Sequence, residues 1–146
     1  MQISSRFTIA VHILICIETF KNDYKVTSDF LASSVNANPV VIRRLLQQLK
    51  KADIVNVIRG SGGTEITKPL NTITLLDIYH AVECIEKGEL FHFHENPNPL
   101  CPVGKNIHSV LDSRLQKIQE AMELELKSVT VQDLLNDSKK QILQNP

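Results

Sequence analysis

The stretch from Asn38 to Thr67 constrains the fold most, because one hydrophobic rhythm gives way there to another with no linker between them. Asn38-Pro39 is a strong helix start: Asn accepts backbone N–H bonds at the N-cap, and Pro at the first helical position has no donor to waste. From Pro39 to Ala52, Ile42, Leu45, Leu46 and Leu49 fall at i, i+3, i+4 and i+7, the stripe that packs on a core. Val40, Arg43, Arg44 and Gln47 repeat that spacing on the opposite side, and Lys50 and Lys51 extend it. One face is therefore buried, and the other is basic and polar. After Asp53 the period becomes that of strands. Residues 54–59 are largely β-branched, Gly60-Ser61-Gly62-Gly63 must turn, and residues 64–67 can pair back.

The remainder is mainly helical. Residues 5–20 form a nearly all-apolar helix, too sticky for the surface of a monomer. Thr27 or Ser28 can cap a short helix through Ser34, and a turn at residues 35–37 leads to Asn38. Thr74 caps a helix with Leu75, Ile78, Tyr79 and Val82 inward, while residues 88–102, with Pro97, Pro99 and Pro102, read as a loop. A helix over residues 103–127 carries the narrow seam Ile107, Leu111, Leu115, Ile118, Met122 and Leu126, which suits pairing with a second copy. Thr130 caps a last helix over residues 131–143. The expected fold class is mainly α with a small β-hairpin: a winged helix-turn-helix region over residues 1–74, then dimerisation helices over residues 75–146 with a proline-rich loop at 88–102.

Charge separates along the chain in the same way. The formal total is zero, yet residues 38–68 carry +4 and residues 69–146 carry −4. A basic segment on a neutral or acidic body implies one surface that meets phosphate and another that does not. A helix fits the major groove, where Arg43, Arg44 and Gln47 can bond base edges or phosphates and Val40 can touch a thymine methyl. A hairpin beside it brings Arg59 to the minor groove. An amphipathic surface helix followed by an ordinary hairpin is the plainer reading of the same residues.

The run Ile58-Arg59-Gly60-Ser61-Gly62-Gly63 behind Leu49-Lys50-Lys51-Ala52-Asp53-Ile54-Val55 resembles the signature of the Rrf-two family of bacterial regulators, which includes iron-sulfur and nitric-oxide sensing repressors. The likeness extends over nearly the whole chain, from Ser4-Ser5-Arg6-Phe7 through the 75–81 helix, the proline-rich loop and the long helix. It implies a homodimer on an imperfect palindrome of double-stranded DNA, with Val40, Arg43 and Arg44 toward the major groove and Arg59 in the minor groove. The DNA-contacting set expected from pattern and resemblance together is Ser5, Asn38, Val40, Arg43, Arg44, Gln47, Lys50, Arg59, Gly60, Ser61 and Gly62. A repressor that blocks a promoter follows as the expected mode of action.

Departures from the family pattern qualify the likeness. Asp53 stands where the family turns on Gly, which Asp tolerates through a left-handed conformation. Thr64 and Glu65 replace a Gly and an aromatic, so Glu65 weakens phosphate binding by the wing. Cluster-sensing members hold three closely spaced loop cysteines, because a cluster needs several thiolates at one point. Here Cys101 stands alone in the loop, Cys84 precedes it, Cys16 lies in the first helix, and Gly104 occupies a position that is a histidine ligand in some members. The expectation is no iron-sulfur cluster, no other cofactor and no metal. Cys101 instead sits before Pro102 and Lys105 at a helix start, where dipole and cation favour thiolate, so oxidation there, to a disulfide with another subunit, becomes a candidate signal. Cys16 and Cys84 read as small core residues.

Other functions find less support in the residues. His80 with Cys84, or His92 and His94 with Cys101, outlines a zinc site only weakly, and His94-Glu95 lacks the second histidine of a metalloprotease motif. The glycines at 60–63 have no following helix to cradle phosphates, so no enzyme is expected. A protein-binding module that recruits a partner through the acidic half is the competing class. The apolar run over residues 7–20 is too short to span a bilayer and is broken by His12 and Glu18; no secretory signal pattern opens the chain, so a cytoplasmic location is expected.

Overall fold

The computed structural model describes residues 3–60, 62–82 and 90–146. Among the described residues, six helices and one antiparallel hairpin follow in order: α1 (Arg6–Phe20), α2 (Ser28–Val35), α3 (Pro39–Lys51), β1 (Val55–Val57), β2 (Thr64–Ile66), a short 3-10 turn (Leu70–Thr72), α4 (Leu75–Ala81), α5 (Pro102–Ser128) and α6 (Val131–Gln144). The described residues match the mainly helical class expected from the sequence.

The all-apolar character of α1 has a direct cause. It lies at the centre of the fold and touches α2, α3, α4, α6 and β2, so no face is left that could be polar throughout. Ala10, Ile13, Leu14 and Ile17 are fully buried, and they meet Leu31 of α2, Ile42, Leu45 and Leu49 of α3, Ile78 of α4 and Val131 of α6 in one cluster. At roughly 1.5–3 kcal/mol for each large aliphatic side chain removed from water, this cluster is the main source of stability. Cys16 belongs to it, as expected. Burial pushes its thiol above the ordinary value, partly offset by a hydrogen bond with Ser34. Cys84, read as a core residue from sequence, lies outside the described residues.

The C-terminal part is tied back by backbone bonds as well as by packing. Leu75 N–H donates to Val129 O at 2.9 Å and Val131 N–H to Ile73 O at 2.8 Å. Thr74 and Thr130 each form a complete capping box, with Asp77 and Asp133 respectively, so the starts of α4 and α6 are fixed side by side. In contrast, α5 buries no residue fully over its 27 residues. Only Met122 and Leu126 from its distal end lean on the core.

Candidate nucleic-acid interface

Asn38 caps α3 as its sequence implies. It takes an extended conformation, and its Oδ1 accepts the Val40 N–H at 2.9 Å, with Pro39 at the first helical position. The preceding helix ends on Asn36 in the left-handed region, φ 59°, where its N–H reaches Ala32 O. The chain thus turns sharply from α2 into α3. On α3, Ile42, Leu45 and Leu49 are inaccessible and Leu46 nearly so, while Val40, Arg43, Arg44, Gln47, Lys50 and Lys51 are exposed. The amphipathic period therefore separates the core face from the cationic face residue by residue.

The hairpin is shorter than its sequence suggested. Only Val55↔Ile66, Asn56↔Glu65 and Val57↔Thr64 pair as strands, so Ile54, Ile58 and Arg59 lie outside the ladder despite their β-branched neighbours. Two further backbone bonds flank the ladder: Thr67 N–H to Ile54 O at 3.0 Å at its base, and Ile58 N–H to Gly63 O at 3.0 Å, which closes the loop. Beyond it Gly60 takes φ 81°, a conformation that glycine adopts without steric penalty. Asp53, at the turn into β1, sits at φ 60°, the left-handed position foreseen for it. Glu65 is exposed and accepts from Asn56 Nδ2 at 3.4 Å.

The wing is held against the protein by its base. Both the N–H and the hydroxyl of Thr64 donate to Val26 O, each at 2.8 Å, and Thr64 is itself buried. Gly63 lies so close that a Cβ there would come within 2.8 Å of the Val26 nitrogen. This anchoring brings the wing beside the start of α2 and the outer face of α3. The three parts enclose one open cleft of about 520 Å³.

Of the expected contact residues, Arg43, Gln47, Lys50, Arg59, Gly60 and Gly62 line that cleft. Val40 and Arg44 are exposed on α3 but do not line it, and Ser5 is exposed at the start of α1, beside a separate shallow depression. Asn38 is committed to its cap, and Ser61 lies outside the described residues. The sequence reading missed Thr27, Ser28 and Asp29, which form the α2 side of the cleft; Asp29 comes within 3.9 Å of Arg43. With Arg43, Lys50 and Arg59 against Asp29, the cleft is net cationic and open enough for a polyanion to enter.

A two-helix unit whose second helix turns a basic face outward, followed by a glycine-turned hairpin packed beside it, is the winged helix-turn-helix class of DNA-binding fold. Comparison with known proteins narrows the class. The model of the Rrf2 family, described as iron-dependent transcriptional regulators, matches residues 3–137. The chain is 46% identical over 135 residues to YwnA of Bacillus subtilis (strain 168), a candidate HTH-type transcriptional regulator, covering 92% of this chain and 98% of that one. A crystal structure of a candidate DNA-binding protein superposes with TM-score 0.70 at 40% identity, over 90% of this chain and 99% of that chain. T. potens IscR shares the fold, with TM-score 0.70 at 20% identity over 97% and 90% of the two chains. The chain belongs to the Rrf2 family and is a DNA-binding transcriptional regulator, which agrees with the expectation of a regulator rather than an enzyme.

The family's description raises the question of iron. Among the described residues no three of His, Cys, Asp and Glu converge on one point. Cys16 is buried in the core and Cys101 is exposed at the start of α5, so the two described thiols cannot share an ion. The donor set does not fit an iron site or a cluster among these residues.

Cys101 is the N-cap residue of α5, and its Sγ makes no capping hydrogen bond of ordinary geometry. The N–H groups of Gly104 and Val103 nevertheless point toward it and hold its thiol below the ordinary value. The described part of the loop before it lies along α5. Phe93 stacks on His108 with ring centroids 4.2 Å apart, and Leu90 N–H donates to Gln119 Oε1 at 3.0 Å. Among the described residues, no helix is long and apolar enough to cross a membrane.

Proposed function

We propose that the chain is a homodimeric, sequence-specific repressor in which residues 1–74 hold the operator and residues 75–146 hold the partner copy. The observation that carries this reading is the single cleft shared by the basic face of α3 and the wing. Its position suits α3 in the major groove, with Val40, Arg43, Arg44 and Gln47 toward base edges, while Arg59 reaches the adjacent minor groove. Lys50 and the backbone of Gly60 and Gly62, which line the cleft, are suited to phosphate, and phosphate contacts supply salt-dependent affinity. Ser5, Asn38 and Ser61 complete the proposed contact set.

The case for a dimer comes from α5. A 27-residue helix with no buried side chain, and with Val103 70%, Val110 57%, Ile118 52% and Leu124 71% exposed, leaves an apolar surface that water penalises and a second copy can cover. Two copies paired along α5 present two recognition helices to one face of a palindrome, about one helical turn apart. An electrophoretic shift on the fragment upstream of the chain's own coding sequence tests the reading. Salt-sensitive, sequence-specific retardation lost in Arg59→Ala supports it, and retardation of no duplex overturns it.

Cys101 supplies the candidate signal. An exposed thiol favoured toward thiolate is the form that oxidants attack, and oxidation or an intersubunit disulfide at the start of α5 alters the helix that pairs the two copies. Cys101→Ser that releases DNA on oxidation as the parent does would rule this out.

A further inference from the structure

Asp29 lies where a DNA-binding surface should least tolerate it. It is the only acid among the described residues lining the cleft, is 79% exposed, and stands in the first turn of α2 with Oδ1 3.9 Å from Arg43 Nη2. Lys50 and Arg59 line the same cleft without an ion pair to it. A carboxylate facing the backbone of a duplex lowers affinity for every sequence alike, so its effect must be sought in discrimination.

From this juxtaposition of Asp29 and Arg43 we infer that Asp29 is a specificity-determining residue, which positions the Arg43 guanidinium for one guanine of each half-site. The inference rests on the proposed DNA-binding reading. At 3.9 Å the two groups make a charge contact rather than a hydrogen bond, and with both exposed to water it is weak in the free protein. A duplex that covers the cleft excludes water and lowers the local dielectric, so the attraction strengthens on binding. One edge of the guanidinium then turns toward α2, and its remaining N–H donors point away from the protein as a fixed fork. A planar fork held in this way matches guanine O6 and N7, whereas an untethered arginine on a flexible stem takes any nearby phosphate oxygen. Asp29 also repels phosphate from the place Arg43 occupies. Both effects exchange general affinity for choice of base.

Selection from a pool of random duplexes, performed with the full-length chain, tests this. The parent is expected to return a guanine at one position of each half-site. Arg43→Ala and Asp29→Asn are expected to lose that preference at the same position. Asp29→Asn should also bind a scrambled duplex more tightly than the parent, while its ratio of selected to scrambled affinity falls about tenfold. Asp29→Glu, which keeps the charge, should restore most of the discrimination. A carboxylate serving only the start of α2 would change the melting temperature without changing the selected sequence. If the parent selects a sequence and Asp29→Asn selects the same one, with affinity raised uniformly, the inference fails alone. If the parent selects nothing, the DNA-binding reading fails and the inference with it.

Discussion

Replacing Arg59 by alanine should change how strongly binding depends on salt, and the size of the change follows from the structure. Arg59 is exposed on the wing beyond the paired strands, and the wing is anchored elsewhere, through Thr64 and Gly63 against Val26. Its loss should therefore leave the fold intact, with a stability change within about 0.5 kcal/mol. Each cation that displaces counterions from B-DNA adds about 0.9 to the slope of log K against log salt, so a dimer lacking two such cations should show a slope shallower by about 1.8. On that slope the variant binds about 60-fold more weakly than the parent at 0.1 M salt and about ninefold more weakly at 0.3 M, the two lines meeting near 1 M. Fluorescence anisotropy of a labelled operator duplex, titrated at four or five salt concentrations, reads the slope directly. Parallel lines for parent and Arg59→Ala would mean that Arg59 meets no phosphate field, and the proposed place of the wing would be wrong.

Three further outcomes follow. Leu45→Ala removes a fully buried side chain from the back of α3 and should cost about 2–5 kcal/mol in denaturant unfolding, whereas Gln47→Ala on the outer face should cost little stability and weaken specific DNA binding. Gly63→Ala drives a Cβ to within 2.8 Å of the Val26 backbone, so it should destabilise by about 1–3 kcal/mol, with the wing's amide protons losing protection from exchange before those of α3. The Cys101 thiol is held below its ordinary value and the Cys16 thiol above it. Because the thiolate is the reacting form, iodoacetamide should modify Cys101 with a pH midpoint lower than that of a free cysteine and leave Cys16 untouched in the folded protein; equal rates at both would contradict the assignment.

The parts of this fold that the sequence made legible are those written in local periods. The two faces of α3 could be read because Ile42, Leu45, Leu46 and Leu49 recur at helical spacing with arginines between them, and packing then respects that spacing. Caps at Thr27, Asn38, Thr74 and Thr130 were equally legible, since a capping side chain bonds only two or three residues away. The contacts that build the cleft are of another kind. Thr64 meets Val26 across 38 positions, and neither residue carries a mark of the other. For the same reason nothing in the sequence marks Asp29 as a neighbour of Arg43; the turn at Asn36 that leads α2 into α3 brings them together. The short strands have a physical cause as well: β-branched residues favour extended backbone, but the wing turns early because Gly60 and the close approach of Gly63 to Val26 fix where the ladder must end.

Hydroxyl-radical footprinting of the chain on a duplex recovered by selection tests the central claim most directly. Two protected half-sites about one helical turn apart on one face of the duplex, both lost when Arg43 and Arg44 are replaced by alanine, are the predicted result. Protection that survives those replacements, or no protection at all, would contradict it.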